Sequence, residues 1–179
     1  MNLPNKLTLL RILMILPFLW VLYLGVPCAD YIALAIFVLA SLTDLWDGKI
    51  ARKYNLITDF GKFADPLADK MLVTAAMVWF VECGLMPGWA LFVVLLREFA
   101  VSGLRMVASD KGRVIAAGWS GKVKTAATMV CIVAMFLPIG EWLNLGGIPN
   151  AVFVGIIVVT TIYSGVEYFI QNKDCLKDM

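Results

Sequence analysis

Histidine is absent from this 179-residue chain, which removes the commonest general base and the imidazole-based zinc sites together. Any proton abstraction must therefore use another group. Charge is scarce as well, with 16% of residues Asp, Glu, Lys or Arg against 61% hydrophobic. Together with a mean hydropathy of +0.87, this lies far outside the composition of soluble domains and places the chain in a bilayer. Cysteine is sparse: Cys28, Cys83, Cys131 and Cys175 are scattered, lack the close spacing of a metal or redox motif, and read as apolar packing residues without a structural disulfide. Linkers, low-complexity runs and internal repeats are missing, so one membrane domain over residues 1–179 is expected. No nucleic-acid partner is expected.

Apolar runs of membrane-crossing length are what the chain has in quantity. About 20 such residues span the hydrocarbon core as a helix, and six runs fit between the polar interruptions: Leu7 to Leu24, Tyr31 to Arg52, Lys62 to Cys83, Gly88 to Ala108, Gly118 to Leu137 and Pro149 to Ile170. The breaks hold Gly25 and Pro27, then Gly84, Pro87 and Gly88, then Gly140, Gly146, Gly147 and Pro149, which are turn formers. The expected fold class is an all-α polytopic membrane protein with six transmembrane helices. A signal peptide over the first run fits less well, because the run is long and Pro27 and Cys28 make a poor cleavage site.

Basic residues orient the helices. Lys6 and Arg11, then Lys49, Arg52, Lys53 and Lys62, then Lys111, Arg113, Lys122 and Lys124, and finally Lys173 and Lys177 fall at the termini or on alternate turns. The opposite turns hold Asp30, Glu82 and Glu141 and no Lys or Arg. By the positive-inside rule both termini face the cytoplasm of a multi-pass cell-membrane protein. Trp20, Trp46, Trp79, Trp89, Trp119 and Trp142 mostly lie near span ends, as interfacial belt residues do.

Four carboxylates interrupt this apolar background. Asp44, Asp47, Asp65 and Asp69 sit at or just inside the cytoplasmic ends of the second and third spans. An ionisable group at membrane depth costs a few kcal/mol on insertion scales, so such a group faces a polar cavity and serves a function; interfacial solvation alone does not call for regular spacing. Asp44 and Asp47 are three residues apart and Asp65 and Asp69 four, so each pair shares one helix face. Two facing helices then form a carboxylate box that needs cations. An all-oxygen donor set selects hard ions such as Mg²⁺ or Mn²⁺, and two divalent cations suit a diphosphate substrate. Gly48, Ala51 and Gly61 leave small surfaces beside the acids, for a ligand to approach the backbone or for tight helix packing.

Residues 44–69 read D-L-W-D-G-K-I-A-R, eight residues, then G-K-F-A-D-P-L-A-D, which resembles the CDP-alcohol phosphotransferase signature at every defined position. The resemblance implies that Asp44, Asp47, Asp65 and Asp69 bind two divalent metals. It implies too that Asp44, Gly48, Ala51, Arg52 and Gly61 form the cytidine diphosphate pocket, and that Asp69 is the base. Asp69 would take the acceptor hydroxyl's proton, and that oxygen would attack the β-phosphorus of CDP-diacylglycerol and expel CMP.

The acceptor is addressed by a second polar group. Arg97 and Arg105 lie eight residues apart, within about 80° around a helix, and Lys122 and Lys124 follow at the start of the fifth span. Buried cations of this kind suit a second phosphate. Alternatively, Arg97 pairs with Glu98 or an aspartate, and the two lysines anchor the interface. The strings R-E-F-A-V-S-G-L-R at 97–105, G-K-V-K-T at 121–125 and N-L-P-N-K-L-T-L-L-R at 2–11 are similar to the branch of that family whose acceptor is sn-glycerol 3-phosphate and whose product is phosphatidylglycerophosphate. This places Arg105 and Lys122, helped by Arg97 and Lys124, around the acceptor phosphate. Asn5, Thr8 and Arg11 recur every three residues as a polar stripe that either caps the cavity or snorkels to the interface. The resemblance also suggests a homodimer. Sister activities using inositol phosphate, serine or phosphatidylglycerol are the nearest alternatives. A cation transporter would need acids near the midplane and a path to both faces.

Overall fold

The computed structural model describes residues 3–53, 59–110, 115 and 118–173; within them the side chains of residues 3–7, 44–53, 59–66, 69, 109 and 110 are outside the description. Among the described residues there are seven helices and no strand: α1 Leu3–Tyr23, α2 Ala29–Lys53, α3 Asp59–Glu82, α4 Gly88–Asp110, α5 Trp119–Met135, α6 Ile139–Trp142 and α7 Ile148–Gln171. Six long helices stand where six apolar runs were expected, with ends moved by a few residues. The single-turn α6 lies in a stretch expected to be only a turn. α7 is long and apolar enough to cross a membrane; Thr8–Tyr23 and Ala29–Thr43 are shorter apolar helical stretches. Of the orienting residues, Lys111, Arg113 and Lys177 lie outside the described residues, as does Cys175.

The chain divides into two compact units, Met1–Trp79 and Phe80–Met179. In the first, α1 packs along α2, with Phe18 and Phe37 at 6.4 Å between ring centroids and Tyr23 set edge-on to Trp79 of α3 at 5.4 Å. The buried positions of α1 are Thr8, Arg11, Ile15, Phe18 and Leu22, a stripe at the three-to-four spacing of one helix face. On α2 the stripe is Ala33, Phe37 and Ala40, and on α3 it is Ala68, Leu72, Ala75 and Ala76. Small residues dominate both, as expected where helices approach closely in lipid.

In the second unit, α7 packs against both α4 and α5, and Phe80 meets Phe136 at 4.7 Å. Helix α7 has two distinct faces. Val154, Ile157, Thr161, Ser164 and Tyr168 are buried, whereas Val152, Val159, Val166 and Ile170 point outward. Helix α4 likewise turns Phe92, Leu96, Phe99 and Met106 outward, and α5 buries Lys124 and Thr128. An apolar outside of this extent, with a few polar groups buried beneath it, is costly in water and favourable in hydrocarbon. Some hydroxyls are satisfied within their own helices, Ser41 Oγ donating to the Phe37 carbonyl at 2.8 Å and Thr160 Oγ1 to that of Ile156 at 2.7 Å. Trp20, Trp89, Trp119 and Trp142 project outward.

The turns follow from backbone chemistry. Gly84, at φ +72°, ends α3: its N–H donates to the Val81 carbonyl at 3.1 Å and that of Leu85 to Phe80 at 2.9 Å. This paired closure satisfies carbonyls the helix end would otherwise orphan. Between α5 and α7, Leu145 N–H donates to the Gly140 carbonyl at 2.9 Å, and a Cβ on Gly140 would collide with the Gly146 carbonyl oxygen.

Candidate active site

Helix α2 runs unbroken to Lys53, so Asp44, Asp47, Gly48, Ala51 and Arg52 share one helix, and Gly61, Asp65 and Asp69 share α3. The side chains of all eight lie outside the described residues. The backbone register is still informative. Continued toward the C-terminus, the buried α2 stripe Ala33, Phe37, Ala40 arrives at positions 44, 47 and 51. On α3, Asp65 and Asp69 precede Ala68 and Leu72 by three positions each, the spacing of neighbours on one face. The four carboxylates thus occupy positions in line with the inward faces of two helices, and their hard-oxygen chemistry fits divalent cations.

On α1, Thr8 and Arg11 are each 1% exposed, so this part of the polar stripe is directed inward and does not snorkel. Each makes at least one interaction with its surroundings, while, among the described residues, Arg11 Nε and Nη1 are buried without a hydrogen bond. The side chain of Asn5 lies outside the described residues.

The four cations expected at the acceptor phosphate separate into two groups. Arg97 occupies the buried register of α4 between Val94 and Val101. Its Nη1 pairs with Glu98 Oε1 at 2.9 Å, and its Nη2 donates to Ser164 Oγ of α7 at 2.6 Å. Lys124 Nζ of α5 reaches the same Glu98 oxygen at 2.7 Å, with Lys124 itself 6% exposed. One carboxylate therefore serves two cations, and the pairing of Arg97 with Glu98 is present. Glycine makes the room: a Cβ on Gly165 would lie 3.1 Å from Arg97 Cγ and one on Gly121 3.7 Å from Nη2. Arg105 and Lys122 are exposed, and neither appears in that network. Arg105 Nε donates to Tyr168 OH of α7 at 3.0 Å.

Sequence reasoning singled out nothing on α7, yet α7 supplies Ser164 and Tyr168 to these cations. The signal available was a hydroxyl at positions 161, 164 and 168, a one-face spacing inside an otherwise apolar run. Glu98 was read as a possible partner of Arg97 but not as the link to Lys124.

The family model for CDP-alcohol phosphatidyltransferase matches residues 1–164. Among similar proteins, the CDP-diacylglycerol–glycerol-3-phosphate 3-phosphatidyltransferase of Bacillus subtilis is 43% identical over 189 aligned positions, covering 98% of this chain and 97% of the relative. The enzyme of the same name from Escherichia coli is 37% identical over 182, covering 99% and 98%. A probable phosphatidylglycerophosphate synthase of Mycobacterium tuberculosis is 38% identical over 170, covering 93% and 79%. With a match that takes in the acids of α2 and α3 and the cations of α4 and α5, and with relatives of nearly its own length, the chain belongs to the CDP-alcohol phosphatidyltransferase family.

Proposed function

We propose that the chain transfers the phosphatidyl group of CDP-diacylglycerol to sn-glycerol 3-phosphate, giving phosphatidylglycerophosphate and CMP. The observation that carries this reading is that relatives matched over nearly the whole of both chains are named for that reaction. Asp44, Asp47, Asp65 and Asp69 would hold two divalent cations, Mg²⁺ or Mn²⁺, which when bound neutralise the diphosphate of the donor. Asp44, Gly48, Ala51, Arg52 and Gly61 receive the cytidine diphosphate, the small residues letting it approach the helix backbone.

Asp69 accepts the proton from a hydroxyl of glycerol 3-phosphate. The resulting oxygen nucleophile forms a bond to the β-phosphorus as the bond from that phosphorus to the bridging oxygen breaks, and CMP departs with the electron pair. Arg105 and Lys122 hold the acceptor's own phosphate through charge-assisted contacts. Arg97 and Lys124, tied to Glu98, add positive potential beside them. Thr8 and Arg11, buried on α1, cap the substrate cavity together with Asn5.

The reading includes one domain over residues 1–179, six membrane spans with α6 outside them, both termini and the active site on the cytoplasmic face of the cell membrane, and a homodimer. Asparagine substitution tests the metal assignment. Asp44→Asn, Asp47→Asn, Asp65→Asn and Asp69→Asn are each expected to lower turnover at least about a hundredfold, because a neutral amide replaces an anionic ligand or base. Near-normal turnover by any of the first three at low metal concentration would contradict the two-metal assignment.

A further inference from the structure

Arg105 lies on the exposed side of α4, yet its guanidinium does not lack a contact. Its Nε donates to the hydroxyl of Tyr168 at 3.0 Å, and its Cζ lies 5.4 Å from the centre of the tyrosine ring, within the range of a cation–π attraction. Tyr168 is only 6% exposed and packs with Val101, Leu104 and Ala108 of α4, with Phe169 and Ile115 against the same cluster. The tyrosine is therefore a fixed post: its ring is held in an apolar cluster and its hydroxyl emerges beside the arginine.

The nitrogen that Tyr168 engages matters. Arginine recognises phosphate best through a pair of parallel N–H donors on a planar fork. A contact that occupies Nε leaves the terminal pair, Nη1 and Nη2, as the prongs offered to a ligand, and restrains the long side chain before the ligand arrives. Less rotamer freedom is then lost on binding. Arg97 makes the contrast: its Nη1 and Nη2 are taken by Glu98 and Ser164, so its prongs are directed into the protein.

We propose that Tyr168 is a positioning residue for the acceptor, holding Arg105 by Nε so that its two terminal nitrogens grip the phosphate of glycerol 3-phosphate. This rests on the reading of Arg105 as an acceptor-phosphate residue. It assigns α7 a part in acceptor selection, and it distinguishes the two arginines of α4 by which nitrogens remain open.

The test is steady-state kinetics of the full chain in detergent micelles, with Tyr168→Phe, Arg105→Ala and the double variant. Phenylalanine keeps the ring in its cluster and removes only the hydroxyl. Tyr168→Phe is expected to raise KM for glycerol 3-phosphate about fivefold, less than the roughly tenfold or more that a lost contact to a charged group brings, because Arg105 keeps its own contact to the phosphate and loses only its restraint, with kcat within about twofold. KM for CDP-diacylglycerol and the thermal midpoint should stay at the wild-type value. In the Arg105→Ala background, Tyr168→Phe should add nothing, because its partner is already gone. If Arg105→Ala raises KM for glycerol 3-phosphate but Tyr168→Phe does not, or if Tyr168→Phe costs as much without Arg105 as with it, the positioning role is overturned while the acceptor reading stands. If Arg105→Ala itself leaves that KM unchanged, the acceptor reading of Arg105 falls, and the role of Tyr168 with it.

Discussion

Two kinds of cation are distinguished at the scale of single residues, and they call for different outcomes. Arg105 and Lys122 are outward donors, so Arg105→Ala and Lys122→Ala should each reduce catalytic efficiency toward glycerol 3-phosphate at least about tenfold, the loss of a charge-assisted contact. CDP-lipid binding should hardly change; equal weakening of both substrates would assign these cations to the donor site. Glu98 is instead structural, since its Oε1 meets both Arg97 and Lys124 and its side chain is 19% exposed. Glu98→Ala leaves two poorly solvated cations without their carboxylate. The expected cost is roughly 3 kcal/mol, a fall in thermal midpoint of roughly 6–12 °C for a chain of this size. Glu98→Gln, which keeps an acceptor oxygen, should cost less. An unchanged midpoint for Glu98→Ala would show the pairs to be loose. The proposed aspartates stand out in the sequence because a carboxylate in an apolar run is conspicuous and its spacing is local. Ser164 and Tyr168 do not, because hydroxyls are tolerated in membrane helices and their partners lie 67 and 63 residues away along the chain.

Helices were the most legible elements, because each apolar run shows directly in composition while its ends do not. Helix α1 begins at Leu3, before the run that starts at Leu7, since Asn5 and Lys6 continue the helix without adding hydropathy. Helix α5 stops at Met135, shortly before Pro138. The single turn α6 was missed because its cause is a close backbone approach at Gly140, which no periodicity records. Glycine turns offer a clean comparison at this scale. Ala at Gly84 meets no atom within 4 Å, so Gly84→Ala should cost only the strain of a positive φ, about 1–2 kcal/mol. Gly155→Ala, inside α7 with equally open space and ordinary helical φ, should be neutral or slightly stabilising. Thermal midpoints in one detergent check both; equal effects would mean that the Gly84 turn is not held in the left-handed region.

For the molecule as a whole, the broad apolar exterior follows from its solvent. Buried Thr8, Arg11, Lys124, Thr128, Thr161 and Ser164 lie within helices whose outward residues are Leu, Val, Ile and Phe, and composition alone was enough to expect a bilayer. Orientation rests on charge. With the native cysteines replaced, single cysteines introduced near Lys53 and Lys122 should be labelled only from the cytoplasmic side, and those near Gly84 and Gly146 only from outside. Labelling of both sets from one face would contradict the six-span arrangement. The proposed reaction itself is tested most directly by supplying purified protein in detergent with CDP-diacylglycerol, Mg²⁺ or Mn²⁺, and separately glycerol 3-phosphate, glycerol, inositol phosphate, serine and phosphatidylglycerol, and measuring CMP release with the lipid product. The expected result is metal-dependent CMP release matched one for one by phosphatidylglycerophosphate with glycerol 3-phosphate, and little product with glycerol, which lacks the second phosphate. Equal or greater turnover with any other acceptor in that set, or CMP release without a phosphatidylglycerophosphate product, would contradict it.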